Sequence, residues 1–314
     1  MKPMKIARRT STVGVVILLA LSVAACGPSE GRPAAASATG DDAITVGSFA
    51  FPESVLLAEL YAQALESAGF KVKRSFGIGP RELVEPALEL GLVEFVPEYL
   101  GTSLQFMTRG AAVPSPDADL TRRSLEAAFA TRGIALLASA PAQDANAIAV
   151  TPETASQYGL RTVSDLAQVA GQLVFGGPPE CRERPLCLPG LERVYGLEFK
   201  EFLPLDTGGP VTVAALGEGR IDVALLFTTD GNIRARNFVV LQDDRMLQPA
   251  ENVTPVVLRE VSSTFGPKIT EVADRVSANL TTEALAGLNQ KVSLGQSPAA
   301  VAQDWLRTSG LVTT

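Results

Sequence analysis

Rings and carboxylates carry most of the chemical potential of this chain, because histidine is absent from its 314 residues. That absence excludes serine-histidine-aspartate and cysteine-histidine nucleophilic systems and every histidine-ligated zinc or iron site. The three cysteines, Cys26, Cys181 and Cys187, cannot build a four-cysteine metal site. Two of the carboxylates Glu98, Asp144 and Glu251 could in principle form an acid-base pair. No nucleophile-base spacing or metal cluster accompanies them, so the expectation is a non-enzyme without metal or cofactor. The chain has 34 acidic against 27 basic residues and a net charge of -7. Nucleic acid, which needs a basic footprint, is a poor partner for it.

Two aromatic residues recur at matched places. Residues 87–99 read ALELGLVEFVPEY and residues 215–227 read ALGEGRIDVALLF, at an offset of 128. Both begin Ala-Leu. They share a glycine (Gly91, Gly219), a β-branched residue (Val93, Ile221) and an acid (Glu94, Asp222), and end in Tyr99 and Phe227. This reads as helix end, glycine turn, buried strand, then a ring where the strand leaves the sheet. Two copies imply two similar α/β lobes. Ligands of open parallel sheets bind outside the carboxyl ends of the strands. Tyr99 and Phe227 are therefore expected to face each other across a cleft.

The elements around these rings follow from periodicity and punctuation. A strand at 44–48 leads to a helix opened by Pro52 and Glu53, since proline suits the first helical position and an acid suits the dipole. Val55, Leu56, Ala58, Leu60, Ala64, Leu65 and Ala68 give that helix a broad buried stripe. Gly69 ends it before a strand at 71–76, which completes a β-α-β unit with parallel pairing. Helices are predicted at 81–90, 120–131, 189–195, 211–216, 269–279, 282–291 and 298–309, with a further helix start at 164–166. Strands are predicted at 93–96, 135–138, 173–175 and 221–227.

The N-terminus reads as an address. Lys2, Lys5, Arg8 and Arg9 precede an apolar run from Val13 to Ala25, which has the length of a signal-peptide core rather than a membrane span. Val23-Ala24-Ala25 before Cys26 resembles the bacterial lipobox, in which the cysteine thiol is acylated. Residues 1–25 are thus expected to be a signal peptide, and 26–42, rich in Gly, Pro, Ala and Ser, a lipidated cysteine and flexible tether. Loss of the four N-terminal bases would take the net charge from -7 to -11. The expected location is extracytoplasmic, anchored to the cell membrane by lipid.

Longer stretches resemble a known family. GSFAFPESVLLAELYAQALESAGFKV (47–72), EFVPEYLGTSL (94–104), LVFGGPPECRERPLCLPGL (173–191), LDTGGPVTVAALGEGRIDVALLFTTDGNI (205–233) and VVLQDDRMLQPAENVTPVV (239–257) are similar to osmoprotectant-binding proteins of ABC importers. Those receptors take glycine betaine, choline and carnitine. The resemblance implies an α/β, two-lobed periplasmic-binding-protein fold of type II. Lobe one would comprise 43–143 plus 255–314 and lobe two 147–253, with hinge crossovers at 144–146 and 250–254. It also implies a small-molecule ligand, an ABC permease and its ATPase as partners, and a monomeric receptor that closes on its ligand.

The family's chemistry is a cage of aromatic rings around a quaternary ammonium, which cannot donate a conventional N–H hydrogen bond. By resemblance Tyr99 is a cage tyrosine, Phe227 a further ring, Thr102 a carboxylate donor and Arg184 the carboxylate-binding arginine. Asp144 resembles the acid of the first crossover. Asn146 and Glu251 stand where rings are common, and Phe49 where a polar residue is frequent. The cage thus reads as incomplete, with a non-betaine ligand such as a phenolic compound as the alternative. Cys181 and Cys187 flank Arg184, and because the compartment permits oxidation a disulfide is expected there, with two buried thiols as the alternative. Gly208-Gly209-Pro210 opens a helix whose N-terminus either holds an anion or is simply a turn.

Overall fold

The computed structural model describes residues 42–312, so the expected signal peptide and Cys26 lie outside the described residues. The described residues form two five-stranded sheets, each covered by helices. The first contains β1 (Ala43–Gly47), β2 (Lys71–Ser75), β3 (Phe95–Tyr99) and β4 (Ile134–Leu136). The second contains β5 (Asn146–Val150), β6 (Val174–Gly177), β7 (Glu201–Pro204), β8 (Val223–Phe227) and β9 (Val239–Val240). The chain then returns to the first sheet as β10 (Val253–Leu258), giving the orders β2-β1-β3-β10-β4 and β7-β6-β8-β5-β9.

The predicted β-α-β unit is present. β1 pairs in parallel with β2 through α1 (Pro52–Ser67), which has Pro52 at its first turn and buries Leu56, Leu57, Leu60, Tyr61 and Leu65 completely. Each fully buried leucine contributes roughly 2 kcal/mol. The second sheet repeats the arrangement, with β6 parallel to β7 and β8. Each sheet has its own core, with Ile44, Phe95 and Phe129 in the first and Phe175, Leu166 and Val223 in the second.

The internal repeat has a physical basis in both sheets. Gly91 and Gly219 both take left-handed φ, of 70° and 69°, just after α2 (Arg81–Glu89) and the helix Pro210–Gly217. The repeated acids secure the neighbouring strand. Glu94 accepts from the Thr45 N–H and Asp222 from the Val174 N–H, each at 2.8 Å. β3 and β8 then end at Tyr99 and Phe227.

Several elements differ from expectation. The strand predicted at 93–96 lies at Phe95–Tyr99, because Leu92 and Val93 are still folded back onto Ala87 of α2. The helix expected at 189–195 is a three-residue helical segment followed by a π-turn, Leu191–Tyr195. β5, β7, β9 and β10 were not anticipated, nor was α3 (Leu100–Met107). β10 contains Pro255 and β3 contains Pro97, and proline within a run argues against a central strand. The structure pairs the two prolines with each other, so the missing N–H donors fall at one level of the sheet.

The chain crosses between the sheets twice, after β4 and before β10. The crossings pair with each other: Gln143 bridges Asn252, and the Asp144 N–H donates to the Glu251 carbonyl at 3.0 Å. Asn146 is the first residue of β5 and Val253 the first of β10. Among the described residues no helix is long and apolar enough to cross a membrane.

Candidate ligand-binding site

One cavity of about 950 Å³ is lined by residues of both sheets and both crossings. Phe49, Tyr99, Thr102, Asp144, Asn146, Arg184, Phe227 and Glu251, all eight site residues expected from the sequence, line it. Tyr99 and Phe227 get there because each ends a strand. Phe49 lies in the loop after β1, where its N–H donates to Ser54 Oγ at 2.9 Å.

The aromatic group is fuller than the sequence suggested. Phe51 stacks on Phe49 (centroids 5.9 Å) and on Phe227 (5.4 Å), and lies 6.0 Å from Tyr99 at a 32° tilt. Tyr99 and Phe227 are therefore linked through Phe51. Four rings, from β3, β8 and the β1–α1 loop, cluster in the cavity lining. Phe49 also carries the Arg81 guanidinium 5.0 Å from its centroid.

Carboxylates surround the rings. Glu53, only 6% exposed, accepts from the Tyr99 hydroxyl at 2.7 Å and from Thr229 Oγ1 and Asn289 Nδ2. Sequence logic assigned this acid to the helix dipole; it instead joins α1, β3 and the segment after β8. Asp144 accepts from the Thr229 N–H at 3.1 Å and Thr228 Oγ1 at 3.3 Å. Burial, then the charge of Glu53, holds the Asp144 carboxyl well above its usual range. Tyr99 is raised by burial and by Glu53, so its phenol stays neutral.

Glu251 serves the backbone. α3 starts directly after Tyr99, which provides no side-chain cap, and the Glu251 carboxylate takes that role from the second crossing. It accepts from the N–H groups of Gly101 (3.0 Å) and Thr102 (2.8 Å) and from Thr102 Oγ1 (3.3 Å). These are donors that a helix start leaves free. Burial pushes its pKa up to about 8, against those hydrogen bonds and the Arg81 charge. Asn146 is likewise engaged, donating to the Leu186 carbonyl (3.2 Å) and to Gln248 Oε1 (3.1 Å).

Four arginines line the cavity, Arg81, Arg109, Arg132 and Arg184. Arg184 sits in the loop closed by the Cys181–Cys187 disulfide and bridges to Glu82 (3.0 Å) and Glu180 (3.5 Å). Glu82 lies on α2, so this pair joins the two halves of the molecule. Arg81, on the same helix, forms a two-pronged pair with buried Glu98, both contacts at 2.8 Å. Burial and the positive charge of Arg81 lower the pKa of Arg184. Sequence reasoning missed Phe51, Glu53, Arg81 and Glu85; the Phe-Ala-Phe alternation was the available signal for Phe51. The Gly208-Gly209-Pro210 turn holds no free anion site, because Asp206 already accepts from the N–H groups of Val211 (3.0 Å) and Thr212 (2.8 Å). Gly208, at φ 59°, lets the turn pack on Phe227: a Cβ there would lie 2.8 Å from the ring.

Rings, carboxylates and a cation grouped in a cleft between two α/β halves define a binding protein of the two-lobed periplasmic type. Residues 42–308 match the substrate binding domain of the ABC-type glycine betaine transport system, and the chain belongs to that family. It is thus a non-enzymatic, extracytoplasmic solute-binding protein. It is 26% identical over 261 residues to the ergothioneine transport permease/ergothioneine binding protein EgtU of Helicobacter pylori, covering 82% of this chain but 46% of that protein. It is 29% identical over 283 residues to the glycine-betaine-binding protein of Pseudomonas aeruginosa, covering 86% and 89% of the two chains. The fold matches the crystal structure of a glycine betaine/carnitine/choline ABC transporter protein, with a TM-score of 0.69 and 24% identity over 85% of this chain and 99% of that one.

Proposed function

We propose that this protein is the lipid-anchored receptor of an ABC importer and binds a quaternary ammonium solute of the glycine betaine, choline or carnitine type. The observation that carries this reading is the cluster of Phe49, Phe51, Tyr99 and Phe227 in the cavity lining beside buried carboxylates. Ring faces attract a cation that has no N–H to donate, at ~0.5–2 kcal/mol per good contact. Burial raises the pKa of Asp144 and Glu251, and a cation bound beside them favours their ionised forms and so draws out their countercharge, while Thr102 and Arg184 take the carboxylate of a zwitterion. Residues 43–143 with 255–314 and residues 147–253 are the two lobes, hinged at 144–146 and 250–254. The receptor acts as a monomer, delivers to a permease driven by its ATPase, and is held at the membrane through Cys26.

A second reading keeps the fold and the transport role but takes a larger ligand than betaine, phenolic or otherwise. The observation in its favour is the cavity volume, about 950 Å³, far more than a trimethylammonium group needs. A thermal-shift screen of the purified protein with glycine betaine, choline, carnitine, ergothioneine and plant phenolics separates the two, since a ligand of the native state raises Tm by mass action. A shift with the quaternary amines is the expected result. A shift confined to phenolics would overturn the quaternary-ammonium assignment.

A further inference from the structure

The cavity runs on past the rings, between helices α2 and α3. Both helices start at the ring end. Arg81, the first residue of α2, pairs with Glu98 and lies over Phe49, and α3 begins directly after Tyr99. Their far ends are tied together as well: Arg132 pairs with Glu89 of α2 and donates to the Met107 carbonyl of α3 at 3.2 Å. Thr102 and Arg109 both line the cavity, and the helical rise between those two positions gives this arm a length of about 10 Å. Pro86, Phe106 and Met107 make its walls apolar.

Arg109 stands at the far end of the arm. Of the four cavity arginines, its side chain alone has no ion pair or hydrogen bond among the described residues. Arg81 is held by Glu98, Arg132 by Glu89, and Arg184 by Glu82 and Glu180. The Arg109 backbone has φ 53°, in the left-handed region just past the C-terminus of α3, where glycine is the usual residue. A side chain kept at a strained position without a partner of its own points to a use outside the fold.

We infer that this arm is a second ligand subsite, in which Arg109 takes the carboxylate of an elongated ω-ammonio acid, a solute whose quaternary ammonium and carboxylate are separated by an apolar chain. This rests on the quaternary-ammonium reading above, because the ammonium end sits among the rings. Glycine betaine is too short to reach both ends. A long zwitterion reaches Arg109 and meets an unpaired guanidinium, whereas at Arg184 it must first displace a glutamate. Glu85 lies along the arm, and burial, then the charge of Glu98, holds its carboxyl well above its usual range, so it does not repel the anionic tail.

The probes are 8-(trimethylammonio)octanoate, the matching octanamide and glycine betaine. An extended chain covers ~3.8 Å in three bonds, so the eight bonds from nitrogen to carboxyl carbon span about 10 Å. Isothermal titration of wild type and Arg109→Gly is run with all three. Wild type is expected to prefer the octanoate over the octanamide by about 3- to 5-fold, the effect of an exposed ion pair. Arg109→Gly abolishes that preference and leaves glycine betaine unchanged. Its Tm holds or rises, because glycine relieves the left-handed backbone, so the loss is not one of folding. Equal affinity for octanoate and octanamide in wild type overturns the subsite, as does a preference that survives Arg109→Gly or an equal loss of betaine. Binding of betaine but of neither long compound overturns it too. Binding of none of the three overturns the quaternary-ammonium reading and the subsite with it.

Discussion

Phe51 touches three other rings through two stacked and one tilted contact, and its only sequence signal, the Phe-Ala-Phe alternation, is masked because Phe-Ala-Phe-Pro reads as a loop and helix start. Its side chain matters through its π face rather than its apolar area. Phe51→Ala is therefore expected to weaken quaternary-amine binding about 2- to 30-fold, the range of one good cation–π contact. Phe51→Leu restores the volume and not the affinity; titration with choline checks both, and wild-type affinity in Phe51→Leu would remove the ring from the site. Glu251 sets a pH dependence. Its folded pKa of about 8 lies above its ordinary value of 4.5, so folding takes up a proton between those values. Its contribution must then weaken the protein as pH rises from about 4.5 to 8. Denaturant melts across that window should show the decline, and Glu251→Gln should flatten it. A rise in stability that Glu251→Gln abolishes would contradict the assignment.

Local pattern located most of the elements that carry these side chains. The β-α-β unit, the glycine turns and the two strand ends were legible because helix stripes, left-handed glycines and strand-end aromatics are short-range signals. β10 was not, since Pro255 hides a central strand whose partner lies about 150 residues away. The role of Glu251 was equally hidden, because its partner helix begins at Leu100. That contact requires a close approach. A Cβ on Gly101 would lie 2.4 Å from Pro249 Cγ and 3.0 Å from Glu251 Oε1. Gly101→Ala is expected to cost about 1–3 kcal/mol by overpacking. It should also loosen the cap that holds Thr102 at the cavity. Urea unfolding measures the first effect and ligand titration the second; a variant with wild-type midpoint and affinity would show that the crossing yields easily.

The two halves communicate through a small set of polar links. Thr229 joins the segment after β8 to Glu53 and Asp144, and Arg184 reaches across the cleft to Glu82 on α2. The Arg184 link involves half-exposed groups, so its net contribution is small, ~0–1 kcal/mol. Its consequence lies in competition. The guanidinium proposed to hold a ligand carboxylate is occupied by Glu82 and Glu180, and a zwitterion must displace at least one of them. Choline has no carboxylate and makes no such demand. Glu82→Ala should therefore tighten glycine betaine severalfold while leaving choline nearly unchanged, and Arg184→Ala should weaken betaine far more than choline. Parallel titrations of both ligands against both variants read this directly. Equal weakening of the two ligands by Glu82→Ala would mean instead that the bridge helps to hold the lobes closed, since a latch acts on every ligand alike and a competitor only on the one that needs the arginine.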